Sequence, residues 1–502
     1  MGAGIWLPLA MPALLATVSM LSRRRRWTRY APVVASVVAL ISGVFLVVLT
    51  RSWGAVTSAG GTLRVDALSA YLLAVVGAVA LTATWAGLPG TEGDDKGSGG
   101  DGAYSALLCL FLAAMTLALL ADNLGVMWIA IEATTITTAF LVGHHGDRRA
   151  LEAAWKYVVL GSVGVSIAFL GVVLIYAATT AGGAPTLSWV LLAHPAQPLD
   201  PDLIRVGVAL AVLGFATKAG LAPMHSWLPD AHSQAPAEVS ALMSGVLLSV
   251  AFYAILRIRA ISDAVLGPTL MQGMLLTGGL MSLLVAATLI LTQRDYKRML
   301  AYSSIEHMGL LALGAAIGGP LAIGAVLVHI LGHGLAKASI FVVAGRILTV
   351  EGTSRIDGVH GLLGRRPRLA IPFLAAMAAL LGFPPSVLFF TEVAIIVAGW
   401  QRGLGWAMAA ALSLLLVVFA GLARHTVRMT LGAPDPAGPP RPADAPTSGL
   451  TADPSEPRPP GHSSGPMLPV GLALALVAVI GFLAGPLRDV IALAVASLGG
   501  TS

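Results

Sequence analysis

Lys218 stands in the run Gly-Phe-Ala-Thr-Lys-Ala-Gly-Leu-Ala-Pro from Gly214 to Pro223, a cation inside an apolar stretch. A charge at bilayer depth is unfavourable by about 3 kcal/mol or more and marks function by default. Glu132, in Trp-Ile-Ala-Ile-Glu-Ala-Thr-Thr, also falls mid-stretch. An isolated carboxylate there either finds a cation or takes up a proton, and Lys156 and Lys218 are the candidate cations. Burial disfavours a lysine's charged form and a nearby carboxylate restores it, so moving the carboxylate decides whether the lysine holds its proton. Such a pair is a proton switch in principle. The other reading of the same residues is a static buried ion pair that fixes helix packing.

His329, His333 and Lys337 follow at i, i+4 and i+8 in Val-His-Ile-Leu-Gly-His-Gly-Leu-Ala-Lys, on one helical face. At a rise of 1.5 Å per residue they span about 12 Å, a length suited to a proton wire. Two histidines at i, i+4 can also share a zinc ion, but no adjacent Glu completes the protease pattern. A third reading is a pair of histidines hydrogen-bonded to neighbouring helices.

Two further places combine a charge with residues that break helices. Gly220 and Pro223 follow Lys218, and Gly382, Pro384 and Pro385 precede Glu392 in Leu-Gly-Phe-Pro-Pro-Ser-Val-Leu-Phe-Phe-Thr-Glu. Proline removes a backbone donor and glycine loosens the helix, so both spans should be interrupted at membrane depth. Paired interrupted helices in corresponding halves point to an inverted-repeat transporter with midplane sites.

The elements that hold these residues follow from composition. Of 502 residues 57% are hydrophobic and only 11% charged, with mean hydropathy +0.85, far from the roughly 25% charged of soluble domains. This is an integral membrane protein. Apolar runs lie near 4–21, 31–50, 66–87, 104–121, 124–143, 155–178, 204–225, 236–258, 269–291, 301–319, 321–346, 370–397, 404–423 and 467–486. Most reach the roughly 20 residues a helix needs to cross the hydrocarbon. They lack period-2 alternation, which excludes a barrel. An all-α polytopic protein of about fourteen transmembrane helices is therefore predicted.

The net charge of +6 does not indicate nucleic acid, because the basic residues sit in short loops. With the N-terminus outside, alternate loops place twenty Lys and Arg on the inner side and seven on the outer, Arg257 and Arg259 among the latter. This distribution predicts an even span count with both termini on the outer face of the cell membrane. Arg23 to Arg26 follow the first apolar run instead of preceding it, so that run reads as a retained span and not a signal peptide. The single cysteine, Cys109, excludes disulfides and cysteine-ligated clusters within the chain. Thr91 to Asp101 and Gly432 to Pro466, the latter with eleven prolines, read as flexible inner-side linkers or partner docking segments.

Thr-Lys-Ala-Gly-Leu-Ala-Pro-Met-His-Ser-Trp-Leu-Pro-Asp-Ala-His-Ser-Gln-Ala-Pro, Thr217 to Pro236, resembles the signature of the antiporter-like proton-channel subunits of respiratory complex I, membrane-bound hydrogenases and multisubunit cation/proton antiporters. Asp295-Tyr-Lys-Arg-Met-Leu-Ala-Tyr-Ser-Ser-Ile and His329 to Lys337 match the same family, and the resemblance covers roughly residues 60–425. It implies two inverted five-helix repeats, spans four to eight (104–258) and nine to thirteen (269–430), with spans seven and twelve broken. These are flanked by an N-terminal region (1–103), a Pro-rich linker (431–466) and a C-terminal span (467–502).

Carried over residue by residue, Glu132 resembles the glutamate that modulates a lysine and Lys218 the pumping lysine. Lys156 resembles the sixth-span lysine of some members. His329, His333 and Lys337 resemble the central connecting groups, and Glu392 the terminal one. Ser249 departs from the pattern: the equivalent position in complex I members is commonly lysine, and a serine with bound water is the expected substitute. This departure makes the chain most similar to the hydrogenase-4 component F group.

The implied function is proton translocation within a redox-driven complex. No cofactor is expected in this chain; nickel–iron, flavin or iron–sulfur centres would lie in partner subunits, which would include other membrane subunits and a peripheral redox arm. The alternatives are a subunit of a multisubunit sodium/proton antiporter and a scaffold that conducts nothing. There is no dinucleotide fingerprint for a self-sufficient oxidoreductase.

Overall fold

The structure, a computed structural model, describes residues 3–22, 26–88, 102–180, 183, 185–433, 465–482 and 484–498. The first expected linker and nearly all of the second, with Arg23 to Arg25, lie outside the described residues.

The chain is mostly helical because its long Leu/Ala/Val/Gly runs satisfy backbone groups internally. In order, the helices are α1 (Ala3–Leu21), α2 (Ala31–Trp53), α3 (Ala67–Ala86), α4 (Gly102–Leu120), α5 (Leu124–Val142), α6 (Arg148–Thr180) and the short α7 (Trp189–Ala193). Then follow α8 (Pro201–Lys218), α9 (Trp227–Gln234), α10 (Ala237–Leu242), α11 (Leu248–Leu266), α12 (Thr269–Leu291), α13 (Tyr296–Ile317) and α14 (Gly319–Glu351). The last are α15 (Leu362–Arg365), α16 (Pro367–Leu380), α17 (Val387–Gln401), α18 (Gly405–Leu431), α19 (Leu468–Phe482) and α20 (Ala484–Ala496). A π-helical turn, Met243–Leu247, joins α10 and α11 into one long buried rod. Eleven of these segments, that rod among them, are by themselves long and apolar enough to cross a membrane.

The all-α reading needs one correction. Val56–Ser58 (β1) and Leu63–Val65 (β2) pair antiparallel as a hairpin, because Gly60 and Gly61, both at positive φ, turn the chain back between them.

Capping sets several helix starts that hydropathy cannot locate. Asp66 accepts from Ser69 N–H, and the Ser69 hydroxyl receives the Asp66 N–H, to open α3. Asn123 opens α5 and Asp295 opens α13. Asp147 accepts from the Ala150 N–H at 2.7 Å, so the expected run 155–178 begins at Arg148, and 301–319 begins at Tyr296 behind Asp295.

α3, the α10/α11 rod, α13 and α14 form the buried centre, while α1, α2, α6, α12 and α18 surround it. The outer helices present Phe45, Val48, Trp155, Phe169 and Leu416 to the exterior. Such continuous apolar exposure suits lipid and not water. α6 and α8 pack at backbone contact. A Cβ on Gly214 would sit 2.4 Å from Ala168 N and Gly164 O, and one on Gly171 would sit 2.4 Å from Ala211 N. Small residues replace the hydrophobic drive that lipid removes between helices. Gly214→Val is expected to separate this pair and destabilise the protein by about 2 kcal/mol or more, read as a lowered unfolding temperature in detergent. An unchanged value would show that the close approach is dispensable.

Arg257, expected in an outer loop, is instead buried on α11. Its Nη2 donates to both carboxylate oxygens of Asp66 at 2.7 Å, and its guanidinium lies 3.7 Å from the Trp189 ring centroid. Helix α11 runs eight residues past the predicted limit of 258 and carries Arg257 inside.

Candidate functional site

α8 stops at Lys218, and the chain resumes as α9 at Trp227. Gly220 stands between them at φ +73°, in a left-handed conformation that favours glycine, and Pro223 follows. The Trp227 Nε1–H donates to the Thr217 carbonyl at 2.8 Å and closes the break. Lys218 is the last residue of α8, where the unpaired carbonyls favour a cation. α16 and α17 repeat the pattern: α16 ends at Leu380, Gly382 takes φ +66°, and Pro384 and Pro385 precede the new helix at Val387. A Cβ on Gly382 would meet Glu392 Oε2 at 2.6 Å, so the bare glycine is what lets that carboxylate lie against the break.

Lys218 is fully buried. Its Nζ donates to Thr135 Oγ1 at 2.8 Å and to the Tyr157 hydroxyl, and lies 4.4 Å from the Tyr157 ring centroid. Thr135 in turn donates to Glu132 Oε2 at 3.1 Å, and Ser162 donates to Glu132 Oε1 at 2.8 Å. The expected Glu132–Lys218 pair is thus bridged by a hydroxyl and makes no direct contact. A hydroxyl both donates and accepts, so the bridge links the two groups by hydrogen bonds while holding them apart.

Lys337 is likewise buried, donating to the Leu300 carbonyl at 2.9 Å and to Ser303 Oγ. His329 and His333 lie on the same helix. His329 Nε2 is 3.1 Å from His307 Nδ1, and His329 Nδ1 is 2.8 Å from Thr391 Oγ1. The His307 and His333 rings are 4.9 Å apart. Glu392 faces a cleft of about 380 Å³ between α17 and α18, and Glu306 lines the same cleft.

Two expected residues stand apart. Lys156 points outward from the start of α6, its side chain 46% exposed, and pairs with Glu152 at 2.8 Å and Asp230 at 3.4 Å. The helix begins seven residues, about two turns, earlier than hydropathy indicates, and Lys156 lies at the surface among charges. Asp230 also takes Arg298 at 2.8 Å, tying α9 to α6 and α13. Ser249 lies in a void of about 10 Å³ lined otherwise by apolar side chains, including Leu72, Val76, Leu119 and Ile330. A bound water needs two to four polar partners, and Ser249 is the one hydroxyl side chain in that lining.

Sequence reasoning missed Glu306 and His307, adjacent on α13 and buried with Ser303 and Ser304. The signal was present: Glu306 is a carboxylate between apolar residues in Ser-Ile-Glu-His-Met-Gly, as Glu132 is in its own span. It also missed His232 on α9, which stacks on Phe341 at 4.8 Å and lies within electrostatic reach of Lys337 and Lys297. Ser244, in the π-helical turn, is 2.7 Å from Ser304. Lys297 has a capping role, donating to the Ser233 and Ala235 carbonyls at 3.0 and 2.9 Å where α9 ends.

Long apolar helices carrying buried Lys, Glu and His beside two breaks define a polytopic membrane protein. Residues 121–419, more than half of the chain, match the family model described as NADH:quinone oxidoreductase/Mrp antiporter, transmembrane, and the chain belongs to that family. It is 38% identical over 304 residues to a hydrogenase-4 component F homologue of Methylacidiphilum infernorum, covering 60% of this chain and 63% of that protein. The match thus spans less than two thirds of that relative's length. Its fold is shared with a chain of the membrane-bound sulfane sulfur reductase, an archaeal respiratory membrane complex, at TM-score 0.84 and 24% identity over 98% of this chain and 97% of the other. A chain of the Mrp complex from Dietzia sp. DQ12-45-1b superposes at TM-score 0.82 and 22% identity, covering 99% and 98%.

Proposed function

We propose that this chain is a proton-translocating membrane subunit of a redox-driven complex of the membrane-bound hydrogenase or quinone-reductase type. In this reading the helices make fourteen spans. α8 with α9 forms the seventh, α16 with α17 the twelfth, and α19 with α20 the last, so both termini lie on the outer face. Spans four to eight and nine to thirteen are inverted repeats. Protons pass along Glu132, Thr135, Lys218, His232, His333 with Lys337, His307 with His329, and Glu306 with Glu392. Lys156 and Ser249 lie off this line. The observation that carries the reading is the Lys218–Thr135–Glu132 chain, a buried lysine and a carboxylate joined by one hydroxyl at the end of a broken helix. Redox centres and the peripheral arm belong to partner subunits, whose motion would reach this chain as a change at Glu132.

The test is proton uptake by inverted membrane vesicles energised with the complex's electron donor. Acidification that depends on the donor and persists without sodium is expected. Glu306→Gln should at least halve the protons moved per electron while electron transfer continues. Donor-independent exchange that requires sodium would instead establish the antiporter alternative, and full proton transport in Glu306→Gln would remove Glu306 from the line.

A further inference from the structure

His307, His329 and Glu392 each present one ligand atom, and these atoms all lie within 4.8 Å of one another. The residues come from α13, α14 and α17, so the tertiary fold assembles the trio and no sequence motif spells it. We propose that it is a binding site for a divalent transition-metal ion of the zinc class, and that the ion blocks the relay reversibly when it binds.

The geometry suits such an ion. Zinc–nitrogen bonds of about 2.0–2.1 Å put two imidazole nitrogens on one tetrahedral ion about 3.3 Å apart, and His307 Nδ1 and His329 Nε2 are 3.1 Å apart. The ion takes the place of the proton shared by the two rings. Each ring then needs its other nitrogen protonated and held by an acceptor, the outer-shell arrangement that fixes metal-bound histidines. His329 Nδ1 has Thr391 Oγ1 at 2.8 Å. His307 Nε2 has no hydrogen-bond partner among the described residues and faces Glu306 Oε2 at 3.8 Å. On binding, His307 therefore moves its proton from Nδ1 to Nε2, toward Glu306, and no oxidation or reduction is involved. Glu392 supplies the third, anionic ligand, and the fourth position stays open. The cleft that exposes Glu306 and Glu392 is the approach. The pattern of two histidines and one carboxylate selects zinc or cobalt over sodium, magnesium or calcium, which take oxygen ligands.

The test uses the full chain in its purified assembly, without a histidine tag, titrated with cobalt(II) and zinc(II). One cobalt ion per chain is expected, with the strong visible absorption of a four-coordinate site, displaced stoichiometrically by zinc. His307→Gln, His329→Gln and Glu392→Gln should each weaken binding at least about tenfold, and Thr391→Val about tenfold through the lost outer-shell partner. His333→Gln, whose ring stands 4.9 Å from that of His307 but which offers no ligand atom to the trio, should bind as the wild type does. A zinc-dependent rise in unfolding temperature, present in the wild type and His333→Gln but missing in Glu392→Gln, separates lost binding from lost folding. A six-coordinate cobalt spectrum, or wild-type zinc affinity in both His307→Gln and His329→Gln, would overturn the site. These readouts involve no transport, so they stand or fall apart from the proton reading. The accompanying inhibition of acidification by zinc is the arm that rests on it.

Discussion

Lys218→Ala is expected to reduce donor-driven proton transport at least about tenfold, to the background of the vesicles, while the subunit still assembles. The surroundings of Nζ give the reason. Its hydrogen-bond partners are two hydroxyls, of Thr135 and Tyr157, with the Glu132 carboxylate one bond further away. Removing the ammonium leaves two hydroxyls that can each donate and accept, and half-buried Glu132 keeps its bonds from Thr135 and Ser162, so the structural penalty stays modest. What disappears is the group that can take up and release a proton at this depth. Lys218→Arg separates the two roles. Arginine restores the cation but does not deprotonate in proteins, so a structural requirement for charge would be rescued and a proton-cycling requirement would not. Transport absent in both variants is the expected outcome. Full transport in Lys218→Ala would refute the relay, and rescue by arginine would convert Lys218 into a fixed charge. Thr135→Val should also slow transport, since valine keeps the shape and breaks the bridge to Glu132.

The largest effect on stability is expected at Arg257→Met. Arg257 is fully buried, and its side chain joins α11 to Asp66 at the start of α3, to the Trp189 ring and to the Ser497 carbonyl beyond α20. Breaking a buried pair by removing one partner is unfavourable by about 3–5 kcal/mol because the other charge stays buried. The single variant should accumulate poorly and unfold well below the wild type. Adding Asp66→Asn removes the stranded charge and keeps a residue that can cap α3. The double variant should therefore recover much of the loss. If Arg257→Met unfolds at the wild-type temperature, or if Asp66→Asn makes it worse, the ion pair is not what holds these three elements. A cation fully buried in such a pair is spent on architecture, which separates Arg257 from Lys218 although both are charges inside apolar helices.

Counting charges cannot make that distinction. Arg257 looks like a loop residue in a topology count, yet α11 carries it inside against Asp66, which lies 191 residues away in sequence. Lys156 looks like a membrane-depth cation, yet about two extra helical turns precede it and it lies at the surface with Glu152 and Asp230. Glu306 carried the same signal as Glu132, a lone carboxylate in an apolar run, but its neighbours Ser303, Ser304 and His307 lent it a polar look that hid the parallel.

By itself the sequence determined that the chain lives in lipid, where its helices would run to within about two turns, and where two of them would be interrupted. These properties are local: hydropathy acts over one helix length, and glycine and proline act on their own backbone. It also marked Lys218, Lys337, His329 and His333, because a titratable group among apolar neighbours stands out at once. The tertiary structure alone decided the partners. A single hydroxyl between Lys218 and Glu132, the meeting of His307, His329 and Glu392, and the removal of Ser249 to an apolar void all depend on side chains from different helices arriving within about 3–5 Å. That is set by packing between segments far apart in the chain, through contacts such as the bare backbone approach of Gly214 to Gly164, for which no local pattern carries a code.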